Sequence, residues 1–284
     1  MIVFPNAKIN LGLRVLGKRP DGYHDISTVM VPVGWCDILE IVPSAGNGSF
    51  SLSGSALGGC PPEKNLVIKA IRALEADLGH TLPPLDIYLR KIIPDGAGLG
   101  GGSSDASFTL KAVNELLSLG ISPDRLAAIA ARIGADCPFF IYNRPMLAEG
   151  IGERLSPVSL PIPDGCAVAI AKPQAEAVST REAYEGITPA PLGEGESLTD
   201  ALAMPPDTWD AGNIVRNDFQ DSIFPLRPVI ESTLDRMKAL NPLYAAMSGS
   251  GAAVFGIFPC VKLAEEALEH FPDCRVFAGQ FPFC

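Results

Sequence analysis

Residues 94–107 read PDGAGLGGGSSDAS, and five of the seven positions from 96 to 102 are glycine. Glycine loses more backbone freedom on folding than any other residue, so such a run is either a slack tether or a turn with a purpose. Its neighbours disfavour the tether. LDIYLRKIIP at 85–94 reads as a strand feeding directly into the glycines, and FTLKAVNELLSL at 108–119 carries apolar residues at helical spacing up to Gly120. Gly96, Gly98 and Gly101 satisfy the GxGxxG of a dinucleotide fold. The acidic residue that pattern requires about 20 positions on falls at Glu115, inside a helical stretch rather than at a strand end. A P-loop would close on GK[ST], which the run lacks. An anion site is the favoured reading. Glycines let backbone N–H groups approach a ligand, Ser103 and Ser104 stand where an N-cap is expected, and a helix over 104–119 would aim its positive end at the loop. That arrangement suits a polyphosphate.

The remaining pattern is mixed. Strands are expected over KINLGLRVL, ISTVMVPV and DILEIVP, with a break at RPDGYHD, a loose hairpin over 44–59, and a helix over NLVIKAIRALEADLG that stops at Gly79. After the loop come a helix over PDRLAAIAARIG and the apolar ADCPFFIY. From Ile162 onward CAVAIAKP, AAVFGIF and CRVFAGQF read as strands. STREAYEGI, RPVIESTLDRMKAL and VKLAEEALEHF read as helices, and 188–210 as an exposed excursion carrying a short helix. Strands and helices without regular alternation point to α+β, not to a doubly wound sheet.

At 284 residues, 47% hydrophobic and 19% charged, the chain is a globular protein with room for two domains. A net charge of -10 argues against nucleic acid and anionic membrane as partners, but a local cluster of donors can still bind a small anion. Seven scattered cysteines without a CxxC pair suggest reduced thiols rather than disulfides or zinc. MIVFPNAKINLG lacks the apolar run of a signal peptide, and no stretch approaches the roughly 20 apolar residues of a membrane helix. A soluble cytoplasmic protein is expected.

Several residues stand out against their surroundings. Lys8 lies in an otherwise apolar strand, where a lysine is costly unless paired or able to reach solvent. Asn10, two residues on, shares its strand face. Asp136 precedes the apolar CPFF and reads as either a helix-end aspartate or a catalytic carboxylate. Cys137 reads as buried packing.

PDGAGLGGGSSDA is similar to the phosphate loop of the GHMP kinases, whose common form is P-x3-G-L-G-S-S-A. Its GGGSS variant resembles the branch acting on 4-diphosphocytidyl-2-C-methyl-D-erythritol. AKINLGLRVLGKRPDGYHDISTV at 7–29, NLVIKA at 65–70, GADCPFFI at 134–141 and EGIGERL at 149–155 follow the same branch. So do KPQAEAVSTREAY at 172–184, NDF at 217–219 and MSGSGAAVFG at 247–256, so the resemblance spans nearly the whole chain. It implies a two-domain GHMP kinase fold, with a ribosomal S5 domain 2-like ATP-binding domain at 1–160 and a ferredoxin-like domain at 161–284. It also implies ATP and Mg2+, and transfer of the γ-phosphate to the 2-hydroxyl of the cytidine diphosphate alcohol in isoprenoid precursor synthesis.

Residue by residue, the resemblance makes Asp136 the base and Lys8 its partner. It assigns ATP to Pro94, Gly96, Ala97, Gly98, Leu99, Gly100, Gly101, Gly102, Ser103 and Ser104, with Asn65 and Leu66 near adenine and Lys91 on the ATP side of the loop. The acceptor falls to Asn10, Tyr23, His24, Thr180, Tyr184, Gly249 and Gly251, with cytosine between the rings of Tyr23 and Tyr184. Lys91 could equally be solvated, Tyr23 and His24 could be surface residues, and SGSGA at 248–252 a plain tight turn. Asp105 suits a helix dipole but would repel a triphosphate, so it points away or magnesium lies between. The metal ligands and the oligomeric state are open. Two rivals are a GHMP kinase for a smaller alcohol such as homoserine or mevalonate, and a nucleotide-binding module that could dispense with Asp136 and Lys8.

Overall fold

The computed structural model describes residues 1–45, 50–55, 64–193, 196–212 and 214–282. In chain order it contains β1 (Ile2–Val3), β2 (Asn6–Lys18), β3 (His24–Cys36), β4 (Ile38–Pro43), β5 (Phe50–Ser55), α1 (Leu66–Leu78), β6 (Leu85–Arg90), α2 (Gly101–Leu116), α3 (Pro123–Ala131) and α4 (Cys137–Tyr142). There follow β7 (Met146–Gly150), β8 (Arg154–Pro157), β9 (Ala167–Pro173), α5 (Thr180–Glu185), α6 (Leu198–Leu202), a 3-10 turn (Pro206–Gly212), α7 (Phe219–Ile223), α8 (Pro228–Lys238), β10 (Tyr244–Met247), β11 (Val254–Phe258), α9 (Val261–Leu268) and β12 (Cys274–Gln280). These elements gather into two compact units. One comprises Met1–Ala7, Cys36–Ile93 and Gly100–Asn143, the other Lys8–Trp35, Pro94–Leu99 and Arg144–Cys284.

In the first unit the sheet order is β1-β4-β6-β5. Burial alternates along β6, with Leu85, Ile87 and Leu89 inward and Asp86, Tyr88 and Arg90 outward, the period of a sheet with one covered face. The cover is helical: Ile71 and Leu74 of α1, Leu110 and Val113 of α2 and Ile129 of α3 join Leu39, Ile41 and Ile87 in one core. Asn65 caps α1 by accepting from Val67 N, and Gly79 closes it in the left-handed conformation, as the sequence suggests. Of the hairpin expected over 44–59, the described residues contain one strand, β5. β5 pairs parallel with β6, 35 residues later at the Ser51 to Asp86 register, instead of turning back on β4, and so brings Phe50 and Leu52 to the core. Residues 46–49 and 56–59 of that stretch lie outside the described residues.

The second unit contains two sheets, β2-β3-β7-β8 and β10-β11-β9-β12. The latter is antiparallel throughout. Counted along the chain its order is second, third, first, fourth, with α8 and α9 supplying the helical connections. This is the split βαβ arrangement of ferredoxin-like domains. The excursion at 188–210 carries its short helix and is exposed along much of its length, as expected, but it is anchored: Leu198, Leu202 and Trp209 are buried, and Trp209 Nε1 donates to Met204 O at 2.7 Å. Residues 194–195 lie outside the described residues.

Asp218, in the NDF stretch, ties this unit together. Its Oδ1 accepts from Arg14 Nε at 3.1 Å and Arg216 Nε at 2.8 Å, and its Oδ2 from Val15 N at 2.8 Å. Asp218→Ala would leave the Arg14 guanidinium buried without its partner, and should cost about 3–5 kcal/mol in a urea denaturation of the whole chain.

Candidate functional site

The loop expected to hold phosphate begins in the second unit, where four successive carbonyls are engaged. The Gly96 carbonyl accepts from Val178 N and Ala252 N, both at 3.1 Å, and the Ala97 carbonyl from Ala253 N at 3.1 Å. The Gly98 carbonyl accepts from Lys8 Nζ and from Ser248 Oγ, each at 3.0 Å. The Leu99 carbonyl accepts from Lys8 N at 3.0 Å. In a trans peptide the C=O and the following N–H point opposite ways, so fixing these carbonyls turns the N–H groups of residues 97–100 away from their anchors. Successive N–H groups presented in this manner form an anion-binding concavity.

Gly98 is held at φ +73°, and a Cβ there would stand 1.9 Å from the Ser248 carbonyl oxygen. The backbones of the two glycine stretches therefore lie against each other. The second stretch is itself pinned, since Asn217 Nδ2 donates to Met247 O at 2.8 Å and Gly249 O at 2.7 Å, and Gly251 N donates to Ser248 O at 2.9 Å. Gly249 and Gly251 are thus brought to the first glycine run at Gly98. Beside them Lys8 and Asn10 share a strand face, as expected, with Lys8 Nζ donating to Asn10 Oδ1 at 2.6 Å and Asn10 Nδ2 to Thr28 Oγ1 at 3.0 Å. Both side chains are buried, and these oxygens offset the cost of placing an ammonium there.

The loop continues in the first unit. Here α2 starts at Gly101, with Gly100 as its N-cap at φ 71° and no side-chain cap. The N-cap expected at Ser103 or Ser104 is displaced, because a glycine that adopts the left-handed conformation lets the helix begin three residues earlier. Both serines lie inside the first turn, whose leading N–H groups have no helical acceptor. Ser104 is fully buried and its Oγ has no hydrogen-bond partner.

Asp136 is the N-cap residue of α4, but its side chain makes no capping bond, so the helix-end role does not use its carboxylate. The next residue is fastened to α2: Ser107 Oγ donates to Cys137 O at 2.7 Å, and the Cys137 thiol, pushed up to about 11 by burial, meets Ser103 and Ser107. The segment carrying Asp136 is thereby brought to the helix that opens on the glycine run. Leu66 is there too, since a Cβ on Gly102 would meet Leu66 Cδ1 at 3.5 Å, and the preceding Asn65 caps α1 through its side-chain oxygen. Pro94 is buried. Lys91 is neither solvated nor free, for it is bound by Asp37 and Asp105.

On the acceptor side, His24 opens β3 and stacks on Tyr184, with centroids 4.6 Å apart and planes at 13°. Tyr184 meets Phe219 edge-on at 4.8 Å. The ring on Tyr184 is therefore His24, whereas Tyr23 is 59% exposed. Burial, followed by the charge of Lys18, lowers the His24 pKa, so the ring is neutral at pH 7. Thr180 is exposed at the start of α5. Three residues that sequence reasoning did not select also hold this framework: Ser248, Asn217 and Asp37. Ser248 carries a local signal, lying between Met247 and two glycines. Asp37 carries none, because its lysine partner is 54 residues away.

The residues that match known proteins cover both glycine stretches. The family model for the GHMP kinases N terminal domain matches residues 65–144, and that for the GHMP kinases C terminal matches residues 207–273. The chain belongs to the GHMP kinase family and has its two-domain fold of mixed helices and sheets. It is 49% identical over 281 residues to the 4-diphosphocytidyl-2-C-methyl-D-erythritol kinase of Parabacteroides distasonis, covering 99% of each chain. It is also similar to the crystal structure of a 4-(cytidine 5'-diphospho)-2C-methyl-D-erythritol kinase, with a TM-score of 0.80, 33% identity and 98% of both chains covered. A homoserine kinase structure from Cytophaga hutchinsonii shares the fold at a TM-score of 0.71 with 18% identity, covering 97% of this chain and 94% of that one.

Gly98→Ala tests the backbone interlock. The methyl group would force the loop off Ser248 and tilt its N–H groups, so calorimetric titration should show ATP affinity lowered by on the order of 10²-fold.

Proposed function

We propose that this protein is an ATP-dependent kinase that phosphorylates the 2-hydroxyl of 4-diphosphocytidyl-2-C-methyl-D-erythritol in isoprenoid precursor synthesis. The observation that carries this reading is the 49% identity, end to end, with a relative of that activity. The anchored carbonyls of residues 96–99 support it, since they leave N–H groups for a triphosphate. In this reading residues 1–160 form the ATP-binding domain and 161–284 the second domain.

Phosphoryl transfer requires a held polyphosphate, a placed hydroxyl and relief of the charge that develops on the transferring group. The N–H groups of the loop and of the first turn of α2 hold the β- and γ-phosphates, with Leu66 toward the adenine. Asp136 accepts the proton of the acceptor hydroxyl as its oxygen bonds to phosphorus. The Lys8 ammonium supplies positive charge for the γ-phosphate. The ADP leaves directly, with no phospho-enzyme. His24 and Tyr184 read the cytosine, the neutral imidazole offering one donor and one acceptor to the base.

The family implies Mg2+. Among the described residues no group of three or more His, Cys, Asp or Glu side chains could hold a metal, so phosphate oxygens would supply most of its ligands. The unpartnered Ser104 Oγ fits as the protein's contribution. When bound, the ion neutralises charge on the phosphates.

The partners are ATP and the cytidine diphosphate alcohol. A cytoplasmic location accords with Cys36, Cys137, Cys166, Cys260 and Cys274 standing outside any disulfide, and no helix among the described residues is long and apolar enough to cross a membrane. The rival substrates, homoserine and mevalonate, give the His24 and Tyr184 pair nothing to read.

With Mg-ATP and each of the three alcohols in parallel, ADP release should appear with the cytidine compound only. Release with a small alcohol alone would refute the substrate assignment. Asp136→Asn should lose roughly 10²-fold to 10⁴-fold in kcat while ATP affinity stays near that of the unaltered chain. Near-normal turnover in that variant would remove Asp136 as the base.

A further inference from the structure

Three buried charged groups in the unit that carries α2 have no part in the chemistry above. Lys91, one residue past the end of β6, donates from Nζ to Asp37 Oδ2 at 2.5 Å and to Asp105 Oδ2 at 2.7 Å. The lysine side chain is 9% exposed, and the two carboxylates 0% and 4%. Asp37 also accepts the amides of Ile92 and Ile93 through Oδ1, the latter at 2.8 Å, so it grips the backbone where the chain leaves β6. The Asp105 backbone carbonyl accepts from Thr109 Oγ1 at 2.7 Å within α2. A bonded path therefore runs from Asp37 beside β4, through Lys91, to α2 one turn behind the glycine run.

The position of Asp105 needs a cause other than the helix dipole. Because α2 starts at Gly101, Asp105 lies beyond the first turn, which contains no acidic residue. The cause is Lys91. Asp105 Oδ1 is buried without a hydrogen-bond partner, so its charge is met through Oδ2 alone. Burial pushes the Asp105 carboxyl up to about 7, against the pull of Lys91 and with a smaller push from Asp37. The same lysine lies against the glycine run, for a Cβ on Gly101 would stand 3.3 Å from its Nζ.

We propose that Lys91 is an internal counter-cation, not a phosphate ligand, and that the Asp37, Lys91 and Asp105 cluster is a positioning element that fixes the first turn of α2 for the nucleotide phosphates. An ammonium has three donors, and carboxylates take two of them. Swinging it toward a phosphate would take the cation from two interior carboxyl groups, leaving Asp37 with only the Ile92 and Ile93 amides and Asp105 Oδ2 without its donor, which is strongly unfavourable. Left in place, it holds the residue one turn behind the N–H groups that receive the anion.

The inference rests on the ATP reading above, and a double-mutant cycle separates the two. Lys91→Met, Asp105→Asn and the double variant would be compared in the full chain by calorimetric ATP affinity, by KM for ATP against KM for the acceptor, and by thermal melting. Lys91→Met should weaken ATP binding by roughly tenfold or more, through displacement of the helix start, with the acceptor KM little changed. Adding Asp105→Asn should restore several-fold of that loss, because it removes a carboxylate left without its cation. A lysine that touched phosphate would show the same loss whichever residue stood at 105, and that additive outcome would overturn the proposal. A fall in melting temperature with unchanged ATP affinity would overturn it too. Should Lys91→Met fail to fold, Asp105→Asn alone decides: weaker ATP binding upholds the cluster, unchanged or tighter binding sinks it. If the unaltered chain binds ATP but ignores the cytidine substrate, the function falls and the cycle still stands.

Discussion

The carbonyl oxygens of residues 96–99 are the constraint on which the candidate site depends. A glycine run has no intrinsic shape, and its N–H groups are useful to an anion only if something holds them in one direction. Here that something is a set of donors on the opposite side of the chain: three backbone N–H groups from 178, 252 and 253, the Ser248 hydroxyl, and both nitrogens of Lys8. Each commits a carbonyl, and peptide planarity does the rest. A preorganised array of this kind avoids much of the reorganisation that water or a floppy loop would undergo as charge moves during transfer.

Lys8 illustrates how one residue can bind a loop through both its backbone and its side chain. Its N–H and its ammonium both bind the loop, and the ammonium also bonds Asn10, which reaches Thr28 in turn. A lysine so held has little rotamer freedom left to lose, which would favour the phosphate contact proposed for it. Ser248 and Asn217 extend the same logic: neither carries charge, yet together they fix the second glycine stretch against the first.

Much of this was readable from residue types alone. The shared face of Lys8 and Asn10, the left-handed stop at Gly79 and the α+β class all follow from local rules of spacing and conformation. Other features were not readable, for a common reason. Lys91 could pass for a solvated charge, and Asp105 for one that points away from the loop or meets magnesium, until the fold buries them together with Asp37. The start of α2 moved from the serines to Gly100, because several glycines in a row can each cap a helix and only packing selects one. β5 chose β6 over β4, since strand pairing depends on where the chain returns and not on the strand's own residues. The acidic 188–210 stretch looked exposed by composition, yet three apolar side chains within it find a core.

By itself, the sequence determined the class of ligand, the family to which the chain belongs, and the residue types available for the reaction. Those properties reside in short motifs whose chemistry is set by neighbours along the chain. Only the tertiary structure decided which groups remain available and which are already engaged. It placed His24 rather than Tyr23 on Tyr184 and enclosed Lys91 between two carboxylates. The physical reason is that availability depends on burial and on partners tens of residues away, and neither quantity is a property of any local stretch of chain.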